Sequence, residues 1–447
     1  MHSIAFPSFS RVALAAAGLA SAALLSSCGG GHTIGYAYVL SSPGTTIASI
    51  LTYNVNSNHG QFYPSNAAQF PALTASAIAA AVTPDGANLY VLYGATTDVQ
   101  TGLPVDNGLA SIVHYGIHPD DGTITALDTA ETGGTEPVAL AIDPSGNFLY
   151  AVDTYRPGFG NGSPGVGDVT IFQLQNGVPS LPSSCPLPLG TVTAEGNGCY
   201  YSVGFGPRGV TQSQSANGTA YVYVANSGNT APQIAGTCYG TLSGFTLGAD
   251  GGLTPLNFSS AAGSCANGGN PFPANTLPLG TNPWGITTAT LSGNAKPYVY
   301  VTDYGAGGVY ALATTGGVPQ LPGTFSQTGG EPEHVLAGPN SGALFVSNFA
   351  QGTVSSFTIG SIGQLTPSTN PNYVVGTGPT CMTIDQSGTY FYVTNYLNGN
   401  VSAFYLVGAS GQLAEVPNQP FLIGTGVGLG ASNPTCLAIA PNRTPQP

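Results

Sequence analysis

Basic side chains are nearly missing from this chain of 447 residues: lysine and arginine together number 5, against 18 aspartates and glutamates. A formal net charge of −13 excludes a nucleic-acid surface, which needs a basic stripe, and makes the protein a poor partner for anionic lipid. No stretch carries the apolar period of an amphipathic helix, which excludes helical bundles and α/β folds. No G-x-S-x-G elbow, HExxH helix, phosphate loop or dinucleotide fingerprint is present, so the enzyme classes built on them are excluded. The seven cysteines show no C-x-x-C spacing, so neither a metal site nor a cofactor is expected.

A long hydrophobic run occurs once. Arg11 precedes the apolar segment from Val12 to Leu25, followed by Leu25-Ser-Ser-Cys28 and three glycines. The segment is too short for a membrane span and the glycines end it. It resembles a bacterial lipoprotein signal with its lipobox, which implies a signal peptide over 1–27, lipidation of Cys28 and a tether over 28–35. The expected location is the bacterial cell envelope, with membrane contact only through Cys28. An ordinary signal peptide with an incidental cysteine is the alternative.

What is abundant is glycine, at 65 residues, between short apolar runs. Thr380–Ile384, Tyr390–Thr394, Val401–Leu406 and a weaker run at Leu413–Val416 read as four strands divided by turns. The unit recurs at Val82–Ile117, Pro137–Leu174, Val203–Leu247, Pro283–Ala313 and Pro332–Ile359, with shortest spacings of about 45 residues, the period of propeller blades. In the copy that starts at Val203, Arg208–Gly218 reads as an insertion between the first and second strands. A seventh unit is split. Tyr36–Leu40, Thr46–Asn54 and Gln61–Tyr63 lack a first strand, and Asn433–Pro441, which matches Gly378–Ile384, supplies it. The expected fold is therefore all-β: a seven-bladed propeller over 36–440, closed by the C-terminal strand, with a tail over 441–447.

The YVTN-type strand ends (Asp153, Asn226, Asp303, Asn348, Asn395) and the Pro-x-His segment at Pro332-Glu-His334 make the chain similar to the seven-bladed propeller lactonase family, whose members include 6-phosphogluconolactonases. Family members often carry arginine where Glu333 stands here. That departure argues against a phosphorylated or carboxylated substrate, which would need cationic partners.

Insertions at 95–107, 154–167, 180–198, 227–241 and 259–280 crowd one face, the pattern of a binding surface. Four cysteines, Cys185, Cys199, Cys238 and Cys265, belong to that face, with the local pairings Cys185–Cys199 and Cys238–Cys265 open to them. Cys381 and Cys436 hold matching positions in neighbouring first strands, where they either bridge the closure or remain buried thiols.

The reading that follows is a monomeric binding or interaction scaffold for a small molecule or for an envelope protein or glycan. The alternative is a hydrolase opening a neutral lactone. In it His334, beside Glu331 and Glu333 and across from Asp303, acts as general base. Asp303, Arg156 and Trp284 are the binding candidates.

Overall fold

The computed structural model describes residues 32–42, 49–65, 70–71, 76–94, 109–156, 166–183, 200–228, 240–258, 276–291, 296–423 and 433–444. Their strands form seven antiparallel sheets, each stepping outward from an innermost strand. The innermost strands of blades two to seven are Ala77–Val82, Pro137–Ile142, Pro207–Gln214, Pro283–Thr290, Pro332–Ala337 and Pro379–Ile384. That of blade one is Asn433–Pro441, which pairs with Thr33–Ser42 from the other end of the chain. Each innermost strand contacts the next around a closed circle.

The second strand of each blade is buried between two neighbours, and in five blades a tyrosine on it ties to the adjoining blade, whereas the Tyr150 hydroxyl of blade three is buried without a partner. Tyr38, Tyr90, Tyr223, Tyr300 and Tyr392 are fully buried. Each phenol would be costly to bury unpaired. Their hydroxyls donate to the carbonyls of Gly122, Gly177, Gly317, Gly363 and Gly60, each in the hairpin turn of the adjoining blade. Those glycines hold positive φ, and at Gly122 an added Cβ would strike the Tyr36 ring. Blade six has Phe345 at this position, and Ser356 instead donates to the Gly411 carbonyl of blade seven.

Ring closure and blade number agree with the sequence reading; blade four does not. Tyr200–Phe205 is not its first strand but pairs with Val166–Gln175 on the outside of blade three. The innermost strand is Pro207–Gln214, so Arg208 lies in the wall of the central channel and not in an insertion. The physical reason is composition. Pro-Arg-Gly-Val-Thr-Gln-Ser-Gln has little of the β-branched and aromatic character that marks strands, while Tyr-Tyr-Ser-Val-Gly-Phe has it in full.

Cys381 and Cys436 are disulfide-bonded, joining the innermost strands of blades seven and one. Cys28, Cys185, Cys199, Cys238 and Cys265, and most of the inserted segments, lie outside the described residues.

Candidate functional site

Every innermost strand breaks its pairing register near its start, after one residue in blades two to seven and after two in blade one. In blades one to four and seven a single residue is left over: Thr435, Ile78, Val138, Arg208 and Thr380. In blades five and six two residues, Trp284–Gly285 and Glu333–His334, oppose one. Such bulges re-aim a side chain out of the sheet plane. Repeated seven times at one level, they build a ring at the end of the channel where the innermost strands begin. The ring residues line a central cavity of about 510 Å3.

The ring is chemically uneven. Blades two and three contribute Ile78 and Val138, blades four to six contribute Arg208, Trp284 and Glu333, and blades seven and one contribute threonines. The guanidinium of Arg208 lies over the Trp284 ring, 4.3 Å from its centroid. Trp284 in turn stacks on Tyr304 at 4.8 Å. Arg208 Nε is buried with no hydrogen-bond partner. Burial lowers the pKa of Arg208, while the charges of Glu333 and Glu136 oppose that shift. Burial, reinforced by the neighbouring Glu331 carboxylate and opposed by Arg208, pushes Glu333 up to about 7. Burial and then the adjacent Glu331 push the Tyr304 phenol up to about 12.

Glu331 itself carries strain. Its φ is +55°, in the region that Gly206 (+59°) and Gly378 (+67°) occupy just before the opening prolines of blades four and seven. A side chain there costs about 1–2 kcal/mol. Blade six accepts that cost and thereby sets a carboxylate beside Glu333 and Tyr304.

The other residues singled out from sequence divide sharply. Trp284 and Glu333 stand in the ring, with Glu331 next to it. His334 lines the cavity, but burial alone brings its pKa down to about 4, and no carboxylate offsets the shift. Its backbone N–H donates to Ser347 Oγ at 3.0 Å, and its Nδ1 is buried without a partner. The expected histidine–carboxylate pair is thus not formed, because the bulge separates neighbours in sequence. Asp303 does not face the cavity as a ligand. It is fully buried and accepts from the backbone N–H groups of Thr281, Asn282, Gly305 and Ala306 and from Thr281 Oγ1, which organises a turn. Asn348 and Asn395 make the corresponding bonds in blades six and seven.

Arg156 is also structural. It is buried under the rim of blade three, donating to both oxygens of Asp168 at 2.7 and 2.8 Å and to the Thr132 carbonyl at 2.8 Å. It lies 3.6 Å from the centroid of the Tyr200 ring. Asp153 faces Asp168 across the strand pair and feels the Arg156 charge without a hydrogen bond from it. Burial and then Asp168 raise the pKa of Asp153. A raised carboxylate stabilises the fold below its unfolded value, and that contribution is lost as pH rises through the folded value. Asp153→Asn, which installs the residue of blades four, six and seven, should therefore raise the melting temperature at pH 8 by more than at pH 5. A difference that does not change with pH would contradict this account.

Arg208 and Tyr304 escaped the sequence reading. The signal for Arg208 is the alignment of the opening prolines, since the residues after Pro207, Pro283 and Pro332 are Arg208, Trp284 and Glu333; Tyr304 follows the repeated strand-end position at Asp303.

Residues 33–155 and 298–429 match the family described as lactonase, 7-bladed β-propeller. Among solved structures, a candidate 6-phosphogluconolactonase from Bacteroides fragilis superposes with a TM-score of 0.61 at 16% identity, over 91% of this chain and 98% of its own. The periplasmic gluconolactonase of Pseudomonas aeruginosa superposes with a TM-score of 0.58 at 14% identity, over 92% of this chain and 99% of its own. At such identities the likeness is one of fold. Comparison with curated proteins yields no match.

Proposed function

The chain belongs to the lactonase family of seven-bladed β-propellers, and from that premise we propose that it opens a neutral lactone by hydrolysis at the Arg208–Glu333 mouth. One observation carries the reading: a carboxyl group held near neutrality and an incompletely paired guanidinium share one ring around one cavity. A scaffold requires no such convergence of titratable groups, whereas a hydrolase does. The gluconolactonase name of one superposable structure points the same way.

In this mechanism ionised Glu333 takes a proton from water, and the hydroxide formed attacks the lactone carbonyl carbon. A general base serves best when its pKa lies near the working pH, which favours Glu333 over His334. The oxyanion of the tetrahedral intermediate lies against Arg208, held in place by its stacking on Trp284. The ring C–O bond then breaks, and protonated Glu333 returns its proton to the departing alkoxide. The substrate is neutral because Arg208 feels the charges of Glu333 and Glu136, and Glu331 lies beside Glu333, so the carboxylates at the mouth outnumber its one cation and repel an anion.

A hydrolysis screen over unsubstituted, alkylated and polyhydroxylated lactones tests the reading. Arg208→Ala should lower kcat by about 10²–10³-fold, the usual loss for an oxyanion partner. Absence of hydrolysis of any lactone by the wild-type protein would remove the reading.

We further propose that the protein is held at the envelope through Cys28. The strand Thr33–Ser42 starts at the end of blade one opposite the charged mouth, since Ser42 pairs with Asn433 and Gly35 with Pro441. An anchor ahead of it would leave the mouth turned toward solvent. Cys28→Ala should move the protein from the membrane to the soluble fraction. If labelled fatty acid never enters the wild-type chain, the anchor is wrong.

A further inference from the structure

On the wall of the cavity away from the charged groups, blades two and three present only hydrocarbon side chains. The innermost strand of blade two reads Ala-Ile-Ala-Ala-Ala-Val and that of blade three Pro-Val-Ala-Leu-Ala-Ile, with no polar side-chain atom in either. Ile78, Val138, Leu140 and Ile142 are only half-buried and line the cavity. In a ring of seven, blade two stands across from blades five and six, which bear Trp284 and Glu333. Below the mouth the charged side becomes apolar as well, at Val210, Ile286 and Leu336.

The ring's remaining hydroxyls are already engaged. Thr380 Oγ1 pairs with Thr394 Oγ1 at 3.1 Å and donates to the Thr435 carbonyl at 3.0 Å. Thr435 Oγ1 lies 3.3 Å from the Ala77 carbonyl, to which it donates. A ligand rich in hydroxyls would meet no side-chain partner along blades two and three, and burying its hydroxyls against that hydrocarbon is costly. A ligand with one polar head and a hydrocarbon tail matches both halves.

We propose that the substrate is a lactone bearing an aliphatic chain, its carbonyl at Arg208 and Glu333 and its chain along the inner strands of blades two and three. The proposal rests on the hydrolase reading for the position of the head. The cavity's volume of about 510 Å3 lies within the range of sites that enclose a ligand of this kind.

The test is a homologous series: δ-valerolactone and its propyl, pentyl and heptyl derivatives, with glucono-δ-lactone as the polyol. On the full-length protein kcat/KM should rise roughly three- to fourfold per methylene over the first few carbons, as burial of each CH2 requires, and gluconolactone should be the poorest substrate. In parallel, binding of the matching alkyl cyclohexanones, which cannot be hydrolysed, is followed by calorimetry and should tighten with chain length. Ile78→Ser with Val138→Ser should flatten both series. If the lactones are hydrolysed but neither series depends on chain length, the aliphatic-chain proposal is overturned and the hydrolase reading stands. If ketone affinity climbs with chain length while no lactone is cleaved, the hydrolase reading fails and the apolar chain site stands. A preference for gluconolactone over every alkyl lactone overturns the proposal outright.

Discussion

Glu333→Gln is expected to lower kcat/KM for lactone hydrolysis by about 10²–10⁴-fold, the usual contribution of a general base. The wild-type profile should rise with pH through about 7 and level off above it, because only the ionised carboxylate accepts a proton. The variant's residual rate should be flat across that range. Stability should move in the opposite direction. Glu333 titrates in the folded protein above the ordinary glutamate range near 4.3, so its contribution to stability is full below that range and is lost as pH rises through about 7. At pH 8 the burial of an ionised carboxylate costs the wild type stability that glutamine does not. The variant should therefore melt higher at pH 8 while being nearly inactive. Such a divergence separates a reactive group from a structural one. A variant that melts lower, or that keeps the wild-type pH–rate profile, would place the base elsewhere.

The scaffold was far more legible in the sequence than the site. Strand pairs such as Tyr390–Asn395 and Asn400–Val407 announce themselves through aromatic and β-branched runs between glycine turns, and the split blade through the match of Asn433–Pro441 to Gly378–Ile384. Those signals reflect burial, which selects residue type strongly at every position along a strand. The site depends on bulges, and a bulge is one extra residue with no composition of its own. Arg208 was hidden because its strand is polar, lining a channel on one side, while the aromatic Tyr200–Phe205 beside it imitates an inner strand. His334 stands out in the sequence because it ends the Pro332-Glu-His334 segment beside Glu331 and Glu333. Bulge geometry, which sequence does not display, leaves its Nδ1 buried and unpaired. Arg156 illustrates the converse. A scarce cation in an acidic chain suggests a ligand partner, yet buried Asp168 takes its charge.

Removing residues 433–447 should abolish the cooperative unfolding transition, with aggregation in its place. Among the described residues the strand Asn433–Pro441 is the only partner of the inner edge of Thr33–Ser42, so its loss leaves a row of backbone groups free to pair with another chain. Its side chains alternate between two cores. Leu437 and Ile439 pack with Tyr392 and Ala403 of blade seven, and Ala438 and Ala440 pack with Leu89 and Val91 of blade two. Burial of Leu437 and Ile439 is worth about 1.5–3 kcal/mol each. The Cys381–Cys436 bond closes a separation of 55 residues, worth about 4 kcal/mol in the chain-entropy model. Together these approach the whole stability of an ordinary domain, about 5–15 kcal/mol. The double variant Cys381→Ala with Cys436→Ala separates the two contributions. It forfeits only the covalent part and should melt lower but still cooperatively, because the strand and its alternating contacts remain. Equal damage from the variant and the deletion would mean that the disulfide, and not the strand, closes the ring. A truncated protein with the wild-type melting temperature would mean that the N-terminal strands need no partner from the other end of the chain.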